Sequence, residues 1–381
     1  MKSTATRISL LDKRSYHHDK FRTAVSLHCH TQHSKENLRF VHLYAAKIPI
    51  LSSFYKRERD RYFRLSGRIF DFAQGYWTPP VTVQRVHVSE TERIERQLGL
   101  NALVSLTDHD ETSTGMSLHA LEYSLEVPIS LEWTVPIGES VLHLGIHNLP
   151  SGLSTKIIND LSAYTLEPSK AMFAEILTWL NNFPETLVVL NHPLSDLRSV
   201  GIERLKRLIV EFLNRYGKGI HALEVNGYRS WSENHKAVSL AERFSLPVVS
   251  GGDRHGCAPN AILNLTNATS FSEFVSEIRY DKISEILIMP EYRNKNLYAR
   301  KLESVADFFR DYPEYPHGHQ RWTDRVFFQL EDGLVRPLSY YWQRTVPVWV
   351  KSVMWGIQLI GSRYLRPALR IAFAGKEKVA L

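Results

Sequence analysis

The most constraining feature of the sequence is a series of short apolar runs, most of which end in residues that can bind a metal ion. The runs span residues 23–27, 102–106, 127–131, 141–146, 187–190, 222–225 and 247–250. They are continuous and often β-branched, as in strands buried on both faces of a parallel sheet. Helix-like stretches at 170–182, 202–216 and 232–244 separate several of them. This alternation predicts an α/β fold, and seven such strands favour a closed barrel.

Polar side chains lie at or near the ends of these runs. In a barrel the carboxyl ends of all strands open on one face, so residues that are distant in sequence would converge there. Each motif alone is weak, but burying so many imidazoles and carboxylates without a metal would cost several kcal/mol per unpaired group. The sequence therefore predicts a metal centre, whose candidate residues are His28, His30, Asp108, His109, Glu132, His143, His192, Glu224, Asn226, Asp253 and His255.

Composition excludes several classes of protein. The 381 residues are 43% hydrophobic and 23% charged, which is typical of a globular chain with a sizeable core. Two cysteines, Cys29 and Cys257, are too few for a disulfide framework or a four-cysteine zinc module. The N-terminus has no apolar core segment and no stretch is long and apolar enough to span a membrane, so we expect a cytoplasmic protein.

The positive charge of the chain is concentrated at its C-terminal end. Residues 336–381 carry eight Lys or Arg side chains and one Glu, an excess equal to the net charge of +7 of the whole chain. A general nucleic-acid-binding surface is therefore not favoured. Because six Tyr and Trp residues interleave with these charges, the segment is predicted to contact a membrane surface peripherally or to bind a partner. A helix packed on the body with snorkelling arginines is the alternative.

The predicted organisation has two domains. Residues 1–290 would form the barrel, and residues 291–381 a basic, aromatic-rich helical extension. Residues 37–100 interrupt the alternation with a run rich in Arg, Tyr and Phe, which favours a helical insertion. From its position between the first two strands, this insertion could form a lid over the site.

The ordered motifs LHCHTQHS, LTDHD, Glu132, VLHLGIH, LNHP and GGDRHG resemble those of the PHP (polymerase and histidinol phosphatase) superfamily of metal-dependent phosphoesterases. The resemblance covers approximately residues 23–270. It implies a distorted seven-stranded β/α barrel that holds two or three divalent metal ions. Manganese is the first candidate, and zinc and iron are alternatives.

The resemblance also implies a ligand set. Glu132 would bridge two metals, because it belongs to both of the ligand groups carried over from the family. The first group is His28, His30, Glu132 and Asp253, the second is Glu132, His143 and His192, and His109 with His255 would serve a third metal or the substrate phosphate.

The third metal is where this sequence departs from the family. Family members often have an acidic residue after the serine of the first motif, and here that position is Lys35. Either His33 or Glu36 would replace the acidic ligand, or Lys35 would bind the substrate phosphate.

The resemblance implies hydrolysis of a phosphate ester by a metal-activated hydroxide, with in-line attack. A protonated His109 or His255 would supply the proton of the leaving oxygen, and Asp108 would orient His109. Three arginines just beyond strand ends are candidates to clamp the phosphate, namely Arg198, Arg229 and Arg254.

The predicted function is that of a phosphoric ester hydrolase acting on a phosphomonoester, a nucleotide or a short oligonucleotide. One alternative is a metal-dependent hydrolase of another bond, because His-rich barrels also host amidohydrolases. Many of these resemble one another in a metal-bridging lysine on a mid-barrel strand, and no lysine stands at such a strand end here. The other alternative is a binding protein in which the metal cluster is structural.

Overall fold

The fold was obtained as a computed structural model. It describes residues 5–11, 17–38, 75–120, 127–314, 320–329 and 334–342, together with isolated positions between 53 and 64 and at 351, 355 and 379. Within these residues the chain forms three β-sheets with flanking helices. None of the helices in these ranges has both the length and the apolar character that a membrane crossing needs.

Fourteen strands are present in the described part of the chain. In chain order they are β1 (Ala5–Leu10), β2 (Thr23–Cys29), β3 (Glu36–Asn37), β4 (Gly75–Trp77), β5 (Asn101–Leu106), β6 (Leu131–Ile137), β7 (Ser140–His147), β8 (Leu187–Asn191), β9 (Ala222–Asn226), β10 (Val248–Gly251), β11 (Ile262–Thr266), β12 (Ile283–Ile288), β13 (Val326–Gln329) and β14 (Val335–Pro337).

The same described residues form ten α-helices. They are α1 (Val83–Leu98), α2 (Ser113–Ala120), α3 (Ser154–Leu166), α4 (Lys170–Asn181), α5 (Ile202–Tyr216), α6 (Trp231–Arg243), α7 (Phe271–Ser276), α8 (Pro290–Asn294), α9 (Leu297–Phe309) and α10 (Leu338–Tyr341). Three of the longer helices are preceded by an N-cap residue whose hydroxyl accepts a hydrogen bond from a backbone N–H of the first turn. These residues are Thr82 before α1, Ser169 before α4 and Ser230 before α6.

The strands are distributed over three sheets. Sheet A has the order β1-β12-β11-β2-β5, sheet B has the order β10-β9-β8-β7-β6, and sheet C has the order β14-β13-β4-β3. Sheet A is mixed, because β11 runs antiparallel to both β2 and β12 whereas β2 is parallel to β5. Sheet B is also mixed, with β8, β9 and β10 parallel and β6, β7 and β8 antiparallel.

The predicted seven-stranded barrel is therefore wrong, although the α/β character and most of the predicted strands and helices are confirmed. Its strands are divided between two separate five-stranded sheets. One physical reason is the tight turn between β6 and β7 at Gly138, whose φ is +56°, which makes these strands an antiparallel hairpin. Another is that β11 and β12, which were not predicted, supply antiparallel neighbours within sheet A.

The C-terminal end of the segment predicted as an insertion, residues 37–100, contains a long helix. Residues 83–98 form α1, the crossover helix between the parallel strands β2 and β5. This helix buries Val86 and Ile94 completely, so it is part of the core. Residues 39–52 and 65–74 lie outside the described residues, and the prediction of a lid there remains a prediction.

Sheet C joins parts of the chain that are far apart in sequence. Its strands β3 and β4 come from the first 100 residues, and β13 and β14 come from the predicted C-terminal extension. The described part of that extension thus contains two strands besides its helices, so it is not purely helical. The division of the chain at residue 290 stays a prediction. Most of the basic tail beyond residue 342 lies outside the described residues.

The largest buried cluster lies between sheet B and its helices. Trp133, Leu144, Phe173 and Leu190 are among its members. The Trp133 indole N–H donates to the hydroxyl of Thr165 at 3.0 Å, which satisfies its one buried polar group. This packing fixes sheet B as a rigid platform for the polar residues described next.

Candidate metal centre

Glu132 is completely buried and lies at the centre of a group of imidazoles. Its Oε1 is 3.2 Å from Nδ1 of His143 and 3.1 Å from Nε2 of His192. Its Oε2 is 3.1 Å from Nε2 of His28, 3.3 Å from Nε2 of His30 and 3.4 Å from Nδ1 of His109. The structure therefore brings together residues from β2, β6, β7 and the ends of β5 and β8.

Asp253, which follows β10, joins the same group. Its Oδ1 is 3.7 Å from Nε2 of His28 and 3.6 Å from Nε2 of His30. His255 approaches through Nδ1, which lies 3.6 Å from that same oxygen. Four overlapping sets in the described chain have the spacing of metal ligands: His30, Glu36, His109 and His255; His28, His30 and Glu132; His28, His192 and Asp253; and His109, Glu132 and His143.

Several of these atoms are placed to bind a metal ion and make no hydrogen bond within the described structure. Oε2 of Glu132, Nδ1 of His109 and Nδ1 of His143 are buried, and none has a hydrogen-bond partner within the described structure. Leaving such atoms without a partner is costly, and a divalent ion would satisfy all three. Mixed imidazole and carboxylate donors suit Mn, Fe and Zn, so the residues present fit the implied ions.

The backbone is strained at three of the candidate ligands. His28, His192 and Asp253 have positive φ angles of 63°, 25° and 53°. Residues with a Cβ rarely adopt this region, and such strain is concentrated at functional sites. At His28 the cause is visible, because the register of β2 against β5 shifts between Ser26 and Cys29. This irregularity turns both His28 and His30 toward Glu132.

A carboxylate behind the site orients His28 and the strand end that carries His192. Oε1 of Glu224 lies 2.5 Å from Nδ1 of His28, and Oε2 accepts the backbone N–H of His192 at 2.7 Å. The chain passes Glu224 so closely at Gly251 that a Cβ there would overlap Oε1 of Glu224. Glu224 was noted at a strand end but given no role, and its place next to a histidine-bearing strand was the missed signal.

Glu36 is one of the two residues that the sequence offered as a replacement for the acidic ligand. Its Oε1 lies 3.2 Å from Nε2 of His255, and its Oε2 lies 3.3 Å from Nε2 of His109. Of the alternatives at this position, the structure brings Glu36 to the imidazoles. Lys35 is exposed, and its Nζ lies 5.9 Å from the ring centre of Tyr76.

Asp108 does not orient His109. Its Oδ1 accepts the backbone N–H of Thr31 at 2.6 Å, and its Oδ2 accepts the hydroxyl of Thr31 at 2.7 Å and that of Thr114. The carboxylate is fully buried and held by these donors. Asp108 therefore fixes the turn that follows β2, and the carboxylates that face His109 are Glu36 and Glu132.

The guanidinium of Arg254, a predicted phosphate clamp, is held by an ion pair and by two backbone carbonyl oxygens. Its Nη1 lies 2.6 Å from Oε1 of Glu90, and its remaining nitrogens donate to the carbonyl oxygens of Gly256 and Cys257. The side chain is 1% exposed. It ties the loop after β10 to helix α1, because Glu90 lies on that helix.

The other two predicted arginines differ in position. Nη2 of Arg229 lies 3.5 Å from Oδ2 of Asp253 and donates to the hydroxyl of Ser195 at 2.9 Å. Arg198 is exposed in the turn after β8. Only Arg229 of the three therefore has a guanidinium at the edge of the candidate centre.

The charges of the cluster depend on one another. Burial alone would raise the pKa of Glu132, but the imidazoles of His28, His143 and His109 hold this pKa well below its usual value. Burial would lower the pKa of His109, whereas the carboxylates of Glu36 and Glu132 raise it to about 10. The carboxylates therefore stay ionised, as metal ligands must be.

The centre is closed on one side and open on the other. The side chains of His28 and Glu132 are 1% and 0% exposed, whereas those of His109, His143 and His255 are 14%, 13% and 18% exposed. A substrate would therefore approach from the side of these three imidazoles. The roles predicted for the candidate ligands stay predictions.

Comparison with known proteins gives matches among solved structures only. No known protein family and no curated protein matches the sequence. Among solved structures, the chain is similar to an amidohydrolase from Chromobacterium violaceum, with 17% identity, 61% of this chain and 87% of the other covered, and a TM-score of 0.32. It is also similar to a protein from Bifidobacterium adolescentis described as a candidate metal-dependent phosphoesterase, with 16% identity, coverages of 68% and 95%, and a TM-score of 0.32. At these TM-scores the similarities carry no argument about function, which rests on the geometry of the site.

Proposed function

We propose that the chain is a metal-dependent phosphoesterase that hydrolyses a phosphomonoester, a nucleotide or a short oligonucleotide. The observation that carries the proposal is the convergence of five imidazoles on the buried carboxylate of Glu132, with lone pairs that no hydrogen bond satisfies. The four ligand sets around it would hold two or three divalent ions, with Mn²⁺ as the first candidate and Zn²⁺ or Fe²⁺ as alternatives.

The metal ions, when bound, would lower the pKa of a water molecule and neutralise phosphoryl oxygens. The protein's own part is to fix the ligands. Glu132 would link the ligand sets, because its two oxygens face different imidazoles. Glu224 would hold His28 so that Nε2, rather than Nδ1, faces the centre.

Arg229 supports a phosphate ester as the substrate. Its guanidinium lies beside Asp253, one of the candidate ligands, and the hydroxyl of Ser195 helps to hold it there. A guanidinium matches the oxygens of a phosphate geometrically and stays charged at any working pH. Arg229 would therefore contact the phosphate of a substrate bound on the open side of the centre.

Nε2 of His109 and Nε2 of His255 can each serve either as a metal ligand or as a proton donor, but not as both at once. Nε2 of each faces Glu36. If a metal occupies the set of His30, Glu36, His109 and His255, these nitrogens are ligands and carry no proton. If that set holds no metal, either imidazole can keep a proton on Nε2 and give it to the leaving oxygen.

The proposed partners follow from the same chemistry. The substrate would be a small phosphorylated molecule or a short nucleic acid. Residues 336–381 would contact an anionic membrane surface or a protein partner, as their charge and aromatic content predict.

The experiment that tests the proposed function is phosphate release from a panel of phosphomonoesters, nucleotides and short oligonucleotides. Chelator-treated protein is assayed alone and after addition of Mn²⁺, Zn²⁺ or Fe²⁺, beside Glu132→Gln as the inactive reference. We expect turnover only with added metal and only in the wild-type chain. Metal-restored hydrolysis of amide substrates without phosphate release would replace the phosphoesterase by an amidohydrolase. Metal binding without any turnover would indicate a structural cluster.

A further inference from the structure

Glu36 is held by a strand pair that reaches into the C-terminal part of the chain. On β3 it pairs with Trp77 of β4, and Trp77 in turn pairs with Val326 of β13. One rung of sheet C therefore leads from a candidate ligand to a strand more than 280 positions further along the sequence. A two-residue strand such as β3 has little stability of its own, so its position depends on β4 and β13.

His255 is held by the same part of the chain through a different contact. Two residues after it, the backbone N–H of Cys257 donates to Oδ2 of Asp307 on α9 at 2.8 Å. Sγ of Cys257 lies 3.1 Å from the hydroxyl of Tyr312. Between them, Gly256 approaches α9 so closely that a Cβ would lie 2.8 Å from Oδ2 of Asp307.

Trp77 links the two contacts. Its ring centre lies 5.9 Å from that of His255 and 4.8 Å from that of Phe308, which is the neighbour of Asp307 on α9. The indole thus packs between a candidate ligand and the C-terminal helix. Phe308 also offers its carbonyl oxygen to the buried guanidinium of Arg325, which directly precedes β13.

The rest of the centre is held differently. Glu132, His143 and His192 lie on or directly after β6, β7 and β8, which are neighbours in sheet B. Their positions depend on the main core of the protein and on Glu224 rather than on sheet C.

We propose that residues 297–314 and 320–329, here called the C-terminal clamp, complete one metal site, the set of His30, Glu36, His109 and His255. Asp307 is a positioning residue for His255, and β13 positions Glu36 through β4. The inference rests on the proposed metal-binding function. It adds that metal occupancy of this set depends on the C-terminal clamp, whereas occupancy of the sets around Glu132 does not.

The test measures metal equivalents per chain in the full-length protein after dialysis against Mn²⁺ or Zn²⁺. Glu36→Gln identifies the equivalent that belongs to this set. We expect Asp307→Ala to lose the same equivalent and to keep the others. Asp307→Asn retains an oxygen that can accept the Cys257 N–H, so it should keep wild-type stoichiometry. Glu303→Ala, on the same helix but paired with Lys295, is the matched control and should also bind fully.

Amide hydrogen exchange in the metal-free protein provides a readout that does not need a bound ion. Loss of the hydrogen bond in Asp307→Ala should raise exchange at Cys257 about tenfold and leave β6 to β8 unchanged. If Asp307→Ala does not fold, Tyr312→Phe leaves the Asp307 carboxylate in place and removes the contacts of the hydroxyl with Sγ of Cys257 and with the carbonyl oxygen of Asp307. This variant should weaken metal binding at this set alone.

Two results would overturn the inference. One is full metal stoichiometry in Asp307→Ala with unchanged exchange at Cys257. The other is an equal loss of metal from every set, which would make the contact a matter of general stability. A wild-type chain that binds no metal would instead contradict the proposed function, and the exchange experiment would still decide the positioning role of Asp307.

Discussion

Nδ1 of His28 lies 2.5 Å from Oε1 of Glu224, and this contact decides which nitrogen of His28 faces the candidate metal centre. The ring can donate Nδ1–H to the carboxylate, so the lone pair of Nε2 points toward Glu132 and His30. Carboxylates that orient ligating imidazoles in this way commonly contribute to metal affinity. The relationship gives the first prediction.

Glu224→Gln should weaken metal binding by about 10- to 100-fold, because the amide orients His28 less strongly and lowers the basicity of its ring. The measurement is a metal titration of the chelator-treated protein. Glu203→Gln, an exposed change on α5, is the control and should bind as the wild type does. Equal affinities for both variants would mean that Glu224 has no part in the centre.

Glu132→Gln should have a larger effect than any other single ligand change. The carboxylate faces five imidazoles, so its neutralisation alters several ligand sets at once. We expect loss of at least two metal equivalents, against one for Glu36→Gln, together with loss of the thermal stabilisation that added metal gives. Elemental determination of bound metal checks the stoichiometry, and retention of all equivalents in Glu132→Gln would contradict the bridging position.

Arg229→Ala should lower kcat/KM for a phosphate ester by about 100-fold, since a charge-assisted contact with phosphate is worth about 1.5–3 kcal/mol. Arg198→Ala is the matched control, because Arg198 is an exposed arginine in the turn after β8. Steady-state kinetics on the best substrate compares the two. Similar losses in both variants would argue for a general field of positive charge instead of a specific contact.

The buried ion pair between Arg254 and Glu90 should be a determinant of stability. Arg254→Met or Glu90→Gln alone should destabilise the protein by about 3–5 kcal/mol, because each leaves the partner charge buried without its counterpart. The double variant should lose less than the sum of the two. Urea unfolding of all four proteins gives the coupling energy, and strictly additive losses would show that the pair does not act as a unit.

His221 should make the protein less stable in acid. Burial, with smaller effects of Arg279 and Lys282, lowers the pKa of this histidine to about 3. Its Nδ1 accepts the backbone N–H of Val188, which requires the neutral ring. The unfolded chain binds the proton near the ordinary value of 6.5. The stabilising contribution is therefore complete above pH 6.5 and is lost as the pH falls toward 3, at about 1.4 kcal/mol per pH unit.

The variant that tests this is His221→Gln, with His235→Gln at an exposed position as control. Unfolding free energies at pH 7.5 and 5.5 are compared. The wild type and the control should lose about 1.4 kcal/mol more than His221→Gln between these values. The same pH dependence in all three proteins would contradict the assignment.

The candidate ligands were predictable because the chemistry of a strand end is visible in sequence. His28, His192 and Asp253 each follow an apolar run, and the burial of such runs fixes where the next side chain lies. The overall fold was not predictable to the same degree. Whether two adjacent strands form a hairpin or a crossover depends on turns such as that at Gly138, and the antiparallel positions of β11 and β12 depend on contacts across the whole chain.

Two side chains near the site lie where the sequence did not indicate, for a similar reason. Arg254 stands between two candidate ligands in sequence, but its side chain meets Glu90, which lies 164 residues away. Asp108 precedes His109 yet accepts hydrogen bonds from Thr31. In both cases a distant partner determines the direction of the side chain, and sequence proximity to a ligand gives no information about that partner.

The pairing of β1 with β12 determines how late in synthesis sheet A can be completed. Ala5 pairs with Ile283, so β1 has to wait for β12, which is the last strand of sheet A in chain order. The histidine-bearing strand β2 has β11 as a neighbour on one side, and that strand is also made late. Because chains emerge N-terminal end first, His28 and His30 are synthesised long before the elements that fix their direction. Metal loading is therefore expected to follow synthesis of most of the chain, and ions that arrive earlier would meet an incomplete ligand set.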